Sequence, residues 1–255
     1  QANLADARIN LARQCGENLA RLHALPKPQL PEMPYLSAAA QLQQLRGLYD
    51  SFGEKRPVLE LAFQWLSANT PESHIENQAQ TQTLVHGDFR NGNLMVDEDG
   101  LRAVLDWELA HLGDPMEDLG WLTVTSWRFG EIDKPVGGFG ALADLFAGYK
   151  AVSGNAVNVD QVQFWQALGT LKWGIICLLQ AFTHLSGQRR SVELAAIGTR
   201  VSEAEIDLLQ IMAPRESLER IELPRNASGC RPTAAELAQA VAEYLNNDAI
   251  PALDG

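Results

Sequence analysis

Apolar residues recur at helical spacing along most of the chain, interrupted by a central stretch with a different pattern. The spacing predicts helices over residues 3–25, 39–49, 57–68, 142–152, 159–186 and 192–212. Pro26 ends the first of these and Pro57 opens the third, because proline fits a first helical turn and disrupts an interior. His23, near the end of the first helix, is interpreted as a packed or capping histidine rather than a ligand. The chain is therefore predicted to be mainly helical.

Three short apolar runs in the central stretch predict strands. Residues 84–86 fit a buried strand, and Gly87 allows an abrupt turn after it. Residues 93–96 and 101–107 fit a hairpin that is joined by a turn at 98–100. The predicted fold class is α+β, mainly α, with a small β-hairpin region.

Polar residues at a fixed spacing accompany these strands. The pattern H-x-D-x-x-x-x-N runs from His86 to Asn93, and a second aspartate, Asp106, follows in the third strand. These groups suit the transfer of a phosphoryl group to a hydroxyl: Asp88 accepts the proton, while Asn93 and Asp106 hold magnesium against the phosphates. A lone Asp or Asn would indicate only a turn. Three of them beside apolar strands, brought to one rim by the hairpin, predict phosphotransferase chemistry.

Residues 84–122 carry a resemblance to a known family. Their sequence, LVHGDFRNGNLMVDEDGLRAVLDWELAHLGDPMEDLGWL, resembles the core of the aminoglycoside phosphotransferase and choline kinase-like family. Within it, the segment looks most like bacterial phosphotransferase family proteins whose relatives are fused to acyl-CoA dehydrogenases. The resemblance spans residues 3–212. It implies the C-terminal, large lobe of the protein kinase-like fold over residues 1–223, with the hairpin region carrying the catalytic and metal loops.

The resemblance also implies a role for each polar residue of the motif. Asp88 would be the catalytic base, and Arg90 a catalytic cation that contacts the transferring phosphate. The implied cofactor-binding set is His86, Asn93 and Asp106. In it, Asn93 and Asp106 are the magnesium ligands and His86 organises the loop. A base role for His86 is the alternative, because imidazole titrates near neutrality.

The residues after Asp106 are expected to support the site. Glu108 is either a support for the metal site or a surface charge. Asp114 is the predicted N-cap of a helix, with Pro115 as its first residue and Glu117 as the capping-box partner. Asp118 either anchors the backbone of the catalytic loop, as the resemblance suggests, or complements the helix dipole.

The implied cofactors are Mg²⁺ and ATP, with GTP as an alternative, and the implied partner is a small molecule with an acceptor hydroxyl. Because relatives are fused to acyl-CoA dehydrogenases, a hydroxylated acid or an acyl thioester is one hypothesis for that acceptor. The irregular loop at 125–140 is hypothesised to face it. Four tryptophans fit either an acceptor pocket or, preferably, helix packing: Trp121, Trp127, Trp165 and Trp173.

Composition restricts partners and location. The net charge of −12 argues against a nucleic-acid partner, which requires basic patches. The most apolar stretch, 171–182, contains Lys172 and is too short to span a membrane. The three cysteines have no metal-binding spacing and favour a reducing compartment, so a cytoplasmic location is predicted.

The chain lacks sequence features of a nucleotide-covering small lobe. Upstream of the motif there is no lysine in a β-branched strand and no G-x-G-x-x-G loop. We therefore expect a fragment that begins after that lobe and is inactive alone. A kinase-like binding module without turnover is the alternative. A protein kinase is disfavoured, because Trp-Glu follows Asp106 where protein kinases have Phe-Gly.

The last residues differ from the rest of the chain. Residues 224–255 are predicted to be a linker followed by a helix that Thr233 caps, with Glu236 as its capping-box partner. A helix of this length buries no core of its own. It either packs on the main domain or opens a further helical domain.

Overall fold

The computed structural model describes residues 5–71 and 83–213. Contacts within the chain divide it into one compact unit, Gln1–Met212, and a second unit, Ala213–Gly255. The predicted boundary at 223/224 and the predicted helix after Thr233 lie outside the described residues. The first unit holds every helix and strand that the described residues form.

Eight α-helices form in the described part of the chain, with bounds close to the predicted ranges. They are α1 (Ala5–His23), α2 (Ala38–Ser51), α3 (Pro57–Ala68), α4 (Met116–Leu122), α5 (Leu142–Ser153), α6 (Val159–Leu185), α7 (Val192–Thr199) and α8 (Val201–Met212). Pro57 is the first residue of α3, as its fixed backbone angle predicts.

One predicted helix is wrong, because residues 192–212 form two helices that meet at Arg200. Arg200 donates its backbone N–H to the carbonyl oxygens of Ile197 and Gly198, which closes the last turn of α7. Gly198 lies against α6, where a Cβ would be 2.7 Å from the Cβ of Ala181. Since α7 and α8 both pack on α6, the apolar spacing continues across the break and does not reveal it.

Four short strands form two antiparallel pairs among the described residues. One pair is β1 (Thr83–Val85) with β4 (His111–Gly113), and the other is β2 (Leu94–Asp97) with β3 (Gly100–Val104). In the first pair Val85 lies opposite His111. Residues 111–113 lie outside the predicted strands. They form a strand because β1, distant in sequence, supplies the pairing partner.

The predicted third strand, 101–107, is also shorter than expected. It ends at Val104, because Asp106 adopts a left-handed backbone with φ 66° and residues 107–109 form a single 3₁₀ turn. A left-handed residue cannot continue a β-ladder. The strand therefore stops just before the second aspartate of the motif.

Helix α6 passes through the middle of the core. Leu168, Leu171 and Ile175 on this helix are at most 2% exposed, and α4, α7 and α8 pack around it. No described helix, α6 included, combines the length and the apolar character needed to cross a bilayer.

Helices α1 and α5 meet through two glycines. A Cβ on Gly16 would lie 2.0 Å from the carbonyl oxygen of Leu145, and one on Gly148 would lie 2.1 Å from that of Arg13. No side chain fits at either position, so the two backbones are in direct contact. This contact brings the C-terminal turn of α1 against α5.

Candidate active site

The motif begins where β1 leaves the core. His86 is fully buried, and Gly87 has a left-handed φ of 78°. A Cβ on Gly87 would lie 2.6 Å from the carbonyl oxygen of Leu109, so glycine alone fits both the conformation and the space. The chain turns sharply there, and Asp88 follows with 15% of its side chain exposed.

Three side chains donate hydrogen bonds to the carboxylate of Asp88. Trp121 Nε1 lies 2.8 Å from Oδ1, and Asn93 Nδ2 lies 2.7 Å from Oδ2. Arg90 Nε lies 3.1 Å from Oδ1. These donors fix the orientation of the carboxylate while part of it stays exposed. A fixed, accessible carboxylate is suited to accept a proton from a hydroxyl.

Asn93 and Asp106 offer oxygen atoms that no described residue binds. Asn93 directs its amide nitrogen at Asp88, and no hydrogen bond from a described residue reaches its Oδ1. Leu105 N donates to Asn93 O at 2.8 Å, which places the next residue, Asp106, beside the same loop. Asp106 is exposed and forms no hydrogen bond or ion pair with a described residue. Amide and carboxylate oxygens of this kind fit Mg²⁺, which also keeps waters and binds substrate phosphates.

The part of the chain that the structure describes holds no cluster of metal-binding side chains beyond this pair. There, no group of three or more His, Cys, Asp or Glu side chains is arranged to hold a metal ion. The pair of oxygen donors on Asn93 and Asp106 is thus what the described protein offers to a cation at this rim.

His86 links the loop to the segment before Asp106. Its Nδ1 lies 3.2 Å from Asp88 N, and its Nε2 lies 3.0 Å from Leu105 O. Because a backbone N–H only donates and a carbonyl only accepts, Nδ1 is unprotonated and Nε2 carries the proton. Both nitrogens are used within the protein. The bonding favours the loop-organising interpretation over direct cofactor contact or a base role, since neither nitrogen remains for those tasks.

Asp118 binds the backbone of the same loop on its buried side. It is fully buried on α4, and its Oδ2 and Oδ1 accept the amide protons of His86 and Gly87 at 2.8 and 3.0 Å. Burial raises the pKa of Asp118, but His23 and these two amides lower it more, so the pKa lies below its ordinary value. The carboxylate is therefore ionised and bound at both oxygens, which is the anchoring geometry expected from the resemblance.

The predicted capping of α4 is right for one residue and wrong for another. Asp114 Oδ1 accepts the N–H of Met116 at 2.8 Å, and the helix begins at Met116 rather than Pro115. Glu117 is not a capping-box partner. Its carboxylate is buried and accepts a hydrogen bond from Gln41 Nε2 at 2.6 Å.

His111 of β4 is the second partner of Glu117, with Nε2 at 3.2 Å from Oε2. Burial lowers the pKa of His111, but the Glu117 carboxylate raises it more, so the pKa lies above its ordinary value. These partners come from α2 and β4, which sequence spacing does not relate to α4. The tertiary contacts therefore replace the local capping geometry at Glu117.

Arg90 contacts both Asp88 and Trp127. Its guanidinium is 5.0 Å from the ring centre of Trp127, and a Cβ on Gly92 would lie 2.3 Å from its Nη1. Gly92 thus makes room for the guanidinium beside Asp88. Arg90 Nε donates to both carboxylate oxygens of Asp88, at 3.1 and 3.3 Å, whereas Nη1 and Nη2 donate no hydrogen bond to it.

The four tryptophans are mostly packed in the interior. Trp121, Trp127 and Trp165 are at most 5% exposed, and the Trp127 ring centre lies 5.1 Å from that of Trp121 and 4.9 Å from that of Trp173. Packing, the preferred interpretation, describes them well. Trp121 also contacts the site, because its N–H binds Asp88.

The irregular loop at 125–140 is tied to the motif. Asn91 Nδ2 donates to the carbonyl oxygens of Trp127 and Gly137, both at 2.9 Å. The loop therefore adjoins the catalytic segment, which is a condition for the hypothesis that it faces the acceptor.

Lys172 is a residue near the site that the sequence motif did not identify. From α6 its Nζ donates to Gly87 O at 3.3 Å and lies 4.8 Å from the ring centre of Trp121. The signal that points to it is a single charge within the otherwise apolar stretch 171–182. A buried apolar helix face tolerates such a charge where it finds a partner.

Sequence comparison places the chain in a family. The model of the phosphotransferase enzyme family, APH, matches residues 2–154, more than half of the chain. The chain belongs to this phosphotransferase enzyme family. The resemblance inferred from residues 84–122 is thereby confirmed.

Relatives of this phosphotransferase domain include larger proteins. Acyl-CoA dehydrogenase family member 11 of Pongo abelii is 28% identical over 171 residues, which cover 61% of this chain and 21% of that protein. The chain thus spans about a fifth of the length of this relative. The match agrees with the fusion to acyl-CoA dehydrogenases that the resemblance suggested.

Solved structures confirm the fold class of this family member. A protein of Ralstonia eutropha JMP134 assigned to the aminoglycoside phosphotransferases superposes with a TM-score of 0.67 at 22% identity, covering 82% of this chain and 67% of that one. A choline/ethanolamine kinase family protein from Mesorhizobium loti gives 0.56 at 17% identity, covering 82% and 64%. The chain has the mainly helical, kinase-like fold of the aminoglycoside phosphotransferases, with small antiparallel sheets.

Proposed function

We propose that this chain is part of an ATP-dependent phosphotransferase that moves the γ-phosphoryl group to a hydroxyl of a small molecule, with GTP as the alternative donor. The observation that carries the proposal is the carboxylate of Asp88. It is fixed by three donors, one of which is Asn93, and it is partly exposed, while Asp106 lies beside the same loop. Membership of the phosphotransferase family supports the reaction class.

In this proposal Asp88 acts as the general base. It takes the proton of the acceptor hydroxyl while the hydroxyl oxygen bonds to the γ-phosphorus and the bond to the bridging oxygen of ADP breaks. Trp121 and Asn93 keep the carboxylate aimed throughout, since they bind it in the absence of substrate. Positioning of this kind supplies a large share of the rate in phosphoryl transfer.

Asn93 and Asp106 would hold magnesium through their free oxygens. Bound there, magnesium would neutralise charge on the nucleotide phosphates. Arg90 would add a second positive charge, because Nη1 and Nη2 remain available beside Asp88. In this proposal Asn93, Asp106 and Arg90 bind the metal and the nucleotide phosphates, while Asp88 binds the acceptor hydroxyl.

For the acceptor, the loop at 125–140 would form one wall of the site, because Asn91 of the motif binds it with two hydrogen bonds. The name of the relative, an acyl-CoA dehydrogenase family member, favours a hydroxylated acid or its acyl thioester as the acceptor class.

Calorimetry tests the metal-nucleotide part of this proposal. Magnesium-dependent ATP binding would be titrated on the natural full-length protein, its Asp106→Ala variant and an Asp99→Ala control. Asp99 is an exposed carboxylate on the β2–β3 turn, so its removal matches the lost charge without touching the rim. We expect the magnesium-dependent heat to disappear in Asp106→Ala alone.

Absence of magnesium-dependent ATP binding in the wild type would overturn the proposal. Binding that is retained in both variants would remove Asp106 from the metal site. Binding without any Asp88-dependent turnover would favour the kinase-like binding module instead.

A further inference from the structure

His23 connects the first helix of the chain to the anchor of the catalytic loop. It is the last residue of α1 and is 6% exposed. Its Nε2 lies 3.1 Å from Oδ2 of Asp118, and its Nδ1 lies 3.1 Å from the hydroxyl of Tyr149 on α5. All three side chains are buried, and neither His23 nor Tyr149 belongs to the motif around Asp88.

The direction of the inner hydrogen bond follows from the ionisation of Asp118. Asp118 is ionised because its pKa is lowered, so it only accepts and His23 Nε2 carries the proton. Burial, helped by Asp114 and Asp118, raises the pKa of Tyr149, so its hydroxyl keeps its own proton and is the hydrogen-bond partner of His23 Nδ1. The result is one continuous series of hydrogen bonds that joins Tyr149 through His23 to Asp118.

The series is held at its outer end by rigid backbone. Tyr149 follows Gly148, whose contact with Arg13 joins α5 to α1 without intervening side chains. His23 and Tyr149 therefore sit on two helices that cannot slide independently. Their rings lie 5.7 Å apart between centres.

At its inner end the series acts on the backbone that carries the base. Asp118 binds the amides of His86 and Gly87, which immediately precede Asp88. Gly87, with φ 78°, has no side chain that restricts its backbone. The hydrogen bond to Asp118 holds the Gly87 amide, while Lys172 binds the Gly87 carbonyl oxygen, and His23 in turn holds Asp118 Oδ2.

We propose that His23 and Tyr149 are positioning residues, which fix the rotation of Asp118 and through it the place of Asp88. The inference rests on the proposed function, because the place of Asp88 matters only for a base. Displacing a catalytic group by about 1 Å lowers rates by on the order of 100-fold, so the loss of either residue should slow turnover while ATP still binds.

The test uses three variants and one matched control in the natural full-length protein. His23→Ala removes both hydrogen bonds of the imidazole. His23→Gln keeps an N–H donor that extends about as far as Nε2 and so restores the hydrogen bond to Asp118. Tyr149→Phe removes one oxygen atom. The control is Tyr49→Phe, because Tyr49 is also fully buried and its hydroxyl accepts one bond, from Arg56 N at 2.7 Å, away from the motif.

The first readout is amide hydrogen exchange without nucleotide. We expect the amides of His86 and Gly87 to exchange about tenfold faster in His23→Ala and Tyr149→Phe, relative to the core amide of Ile175 in the same protein. Tyr49→Phe should leave that ratio unchanged. An unchanged ratio in both test variants would overturn the positioning role. Tyr149→Phe and His23→Gln still decide the matter if His23→Ala does not fold.

The second readout is magnesium-dependent ATP hydrolysis with water as acceptor. We expect kcat to fall on the order of 10- to 100-fold in His23→Ala and Tyr149→Phe with little change in the KM for ATP, and to recover in His23→Gln. An equal fall in Tyr49→Phe would reduce the role to general stability and overturn the inference. No hydrolysis by the wild type would count against the proposed function alone, since the exchange measurement needs no nucleotide.

Discussion

The inner and outer sides of the candidate site are built in opposite ways. On the inner side, His86 and Asp118 have both ring nitrogens and both carboxylate oxygens bonded within the protein. On the outer side, Asn93 Oδ1 and the carboxylate of Asp106 have no hydrogen-bond partner among the described residues. The comparison teaches that the chain uses its own groups to fix the backbone before Asp88, and that the described residues leave unbonded those oxygens that suit a ligand.

Burial explains why the two aspartates, Asp118 and Asp106, differ. An ionised carboxylate such as Asp118, with no exposed surface, must be bonded at each oxygen, because an unpaired buried charge is strongly unfavourable. Asp106 is exposed and water solvates it. Its left-handed backbone, φ 66°, is uncommon for a residue with a side chain. Such a conformation costs free energy, and residues that adopt it cluster at functional sites, which agrees with the proposed role of Asp106.

The largest effect is expected from Asp88→Asn, which breaks the inner side at the base itself. Asparagine keeps the size and most hydrogen bonds but accepts no proton, so magnesium-dependent ATP turnover should fall on the order of 10²- to 10⁴-fold. ATP binding by calorimetry should persist. Asp99→Asn, an exposed carboxylate in the nearby turn, is the control. Turnover close to that of the wild type would remove Asp88 as base.

Asp118→Asn should break the anchor rather than the chemistry. Asparagine has an NH₂ group in place of one carboxylate oxygen, so at least one buried N–H that Asp118 binds loses its acceptor. We therefore expect the free energy of unfolding in urea at pH 7 to fall by about 3 kcal/mol. Asp144→Asn, an exposed carboxylate in the first turn of α5, should change it little. Equal effects of both substitutions would contradict the anchoring role.

The pH dependence of stability gives the same test without a large structural change. The pKa of Asp118 is lowered on folding. The ionised carboxylate therefore stabilises the folded protein at any pH above its pKa in the unfolded chain, and this stabilisation is lost as the pH falls through its pKa in the folded protein. Below about pH 4, the wild type should therefore lose stability more steeply than Asp118→Asn. Parallel curves would show that the two amides and His23 do not stabilise the ionised form.

The smallest effect is expected from Gly87→Ala, compared with Gly187→Ala. The two glycines have nearly the same φ, 78° and 77°, but only Gly87 has an atom in the way, Leu109 O. Left-handed strain should lower the free energy of unfolding by about 1 kcal/mol at Gly187, and strain plus crowding by about 2 kcal/mol at Gly87. Equal losses of unfolding free energy in the two variants would mean that the backbone at Leu109 moves away to admit the new Cβ. The inner side would then be more flexible than its hydrogen bonds indicate.

Sequence reasoning succeeded where the relevant partners are neighbours in the chain. Asp114 caps α4 through the N–H of Met116, two residues on, and Pro57 starts α3. It failed at Glu117, which has the correct spacing for a capping box. There the buried side chains of Gln41 and His111 bind the same carboxylate, and a buried carboxylate must be bonded where those partners lie.

The sequence by itself determined the helices, the H-x-D-x-x-x-x-N motif with its second aspartate, and through them the phosphotransferase family. Only the tertiary structure decided what holds the loop: the pairing of β1 with β4, the position of Lys172, and the contacts of His23. Those contacts join residues 95 and 126 positions apart. Local hydrogen bonds and apolar periods are encoded by adjacent residues, whereas such distant contacts depend on how α1, α4 and α5 pack together.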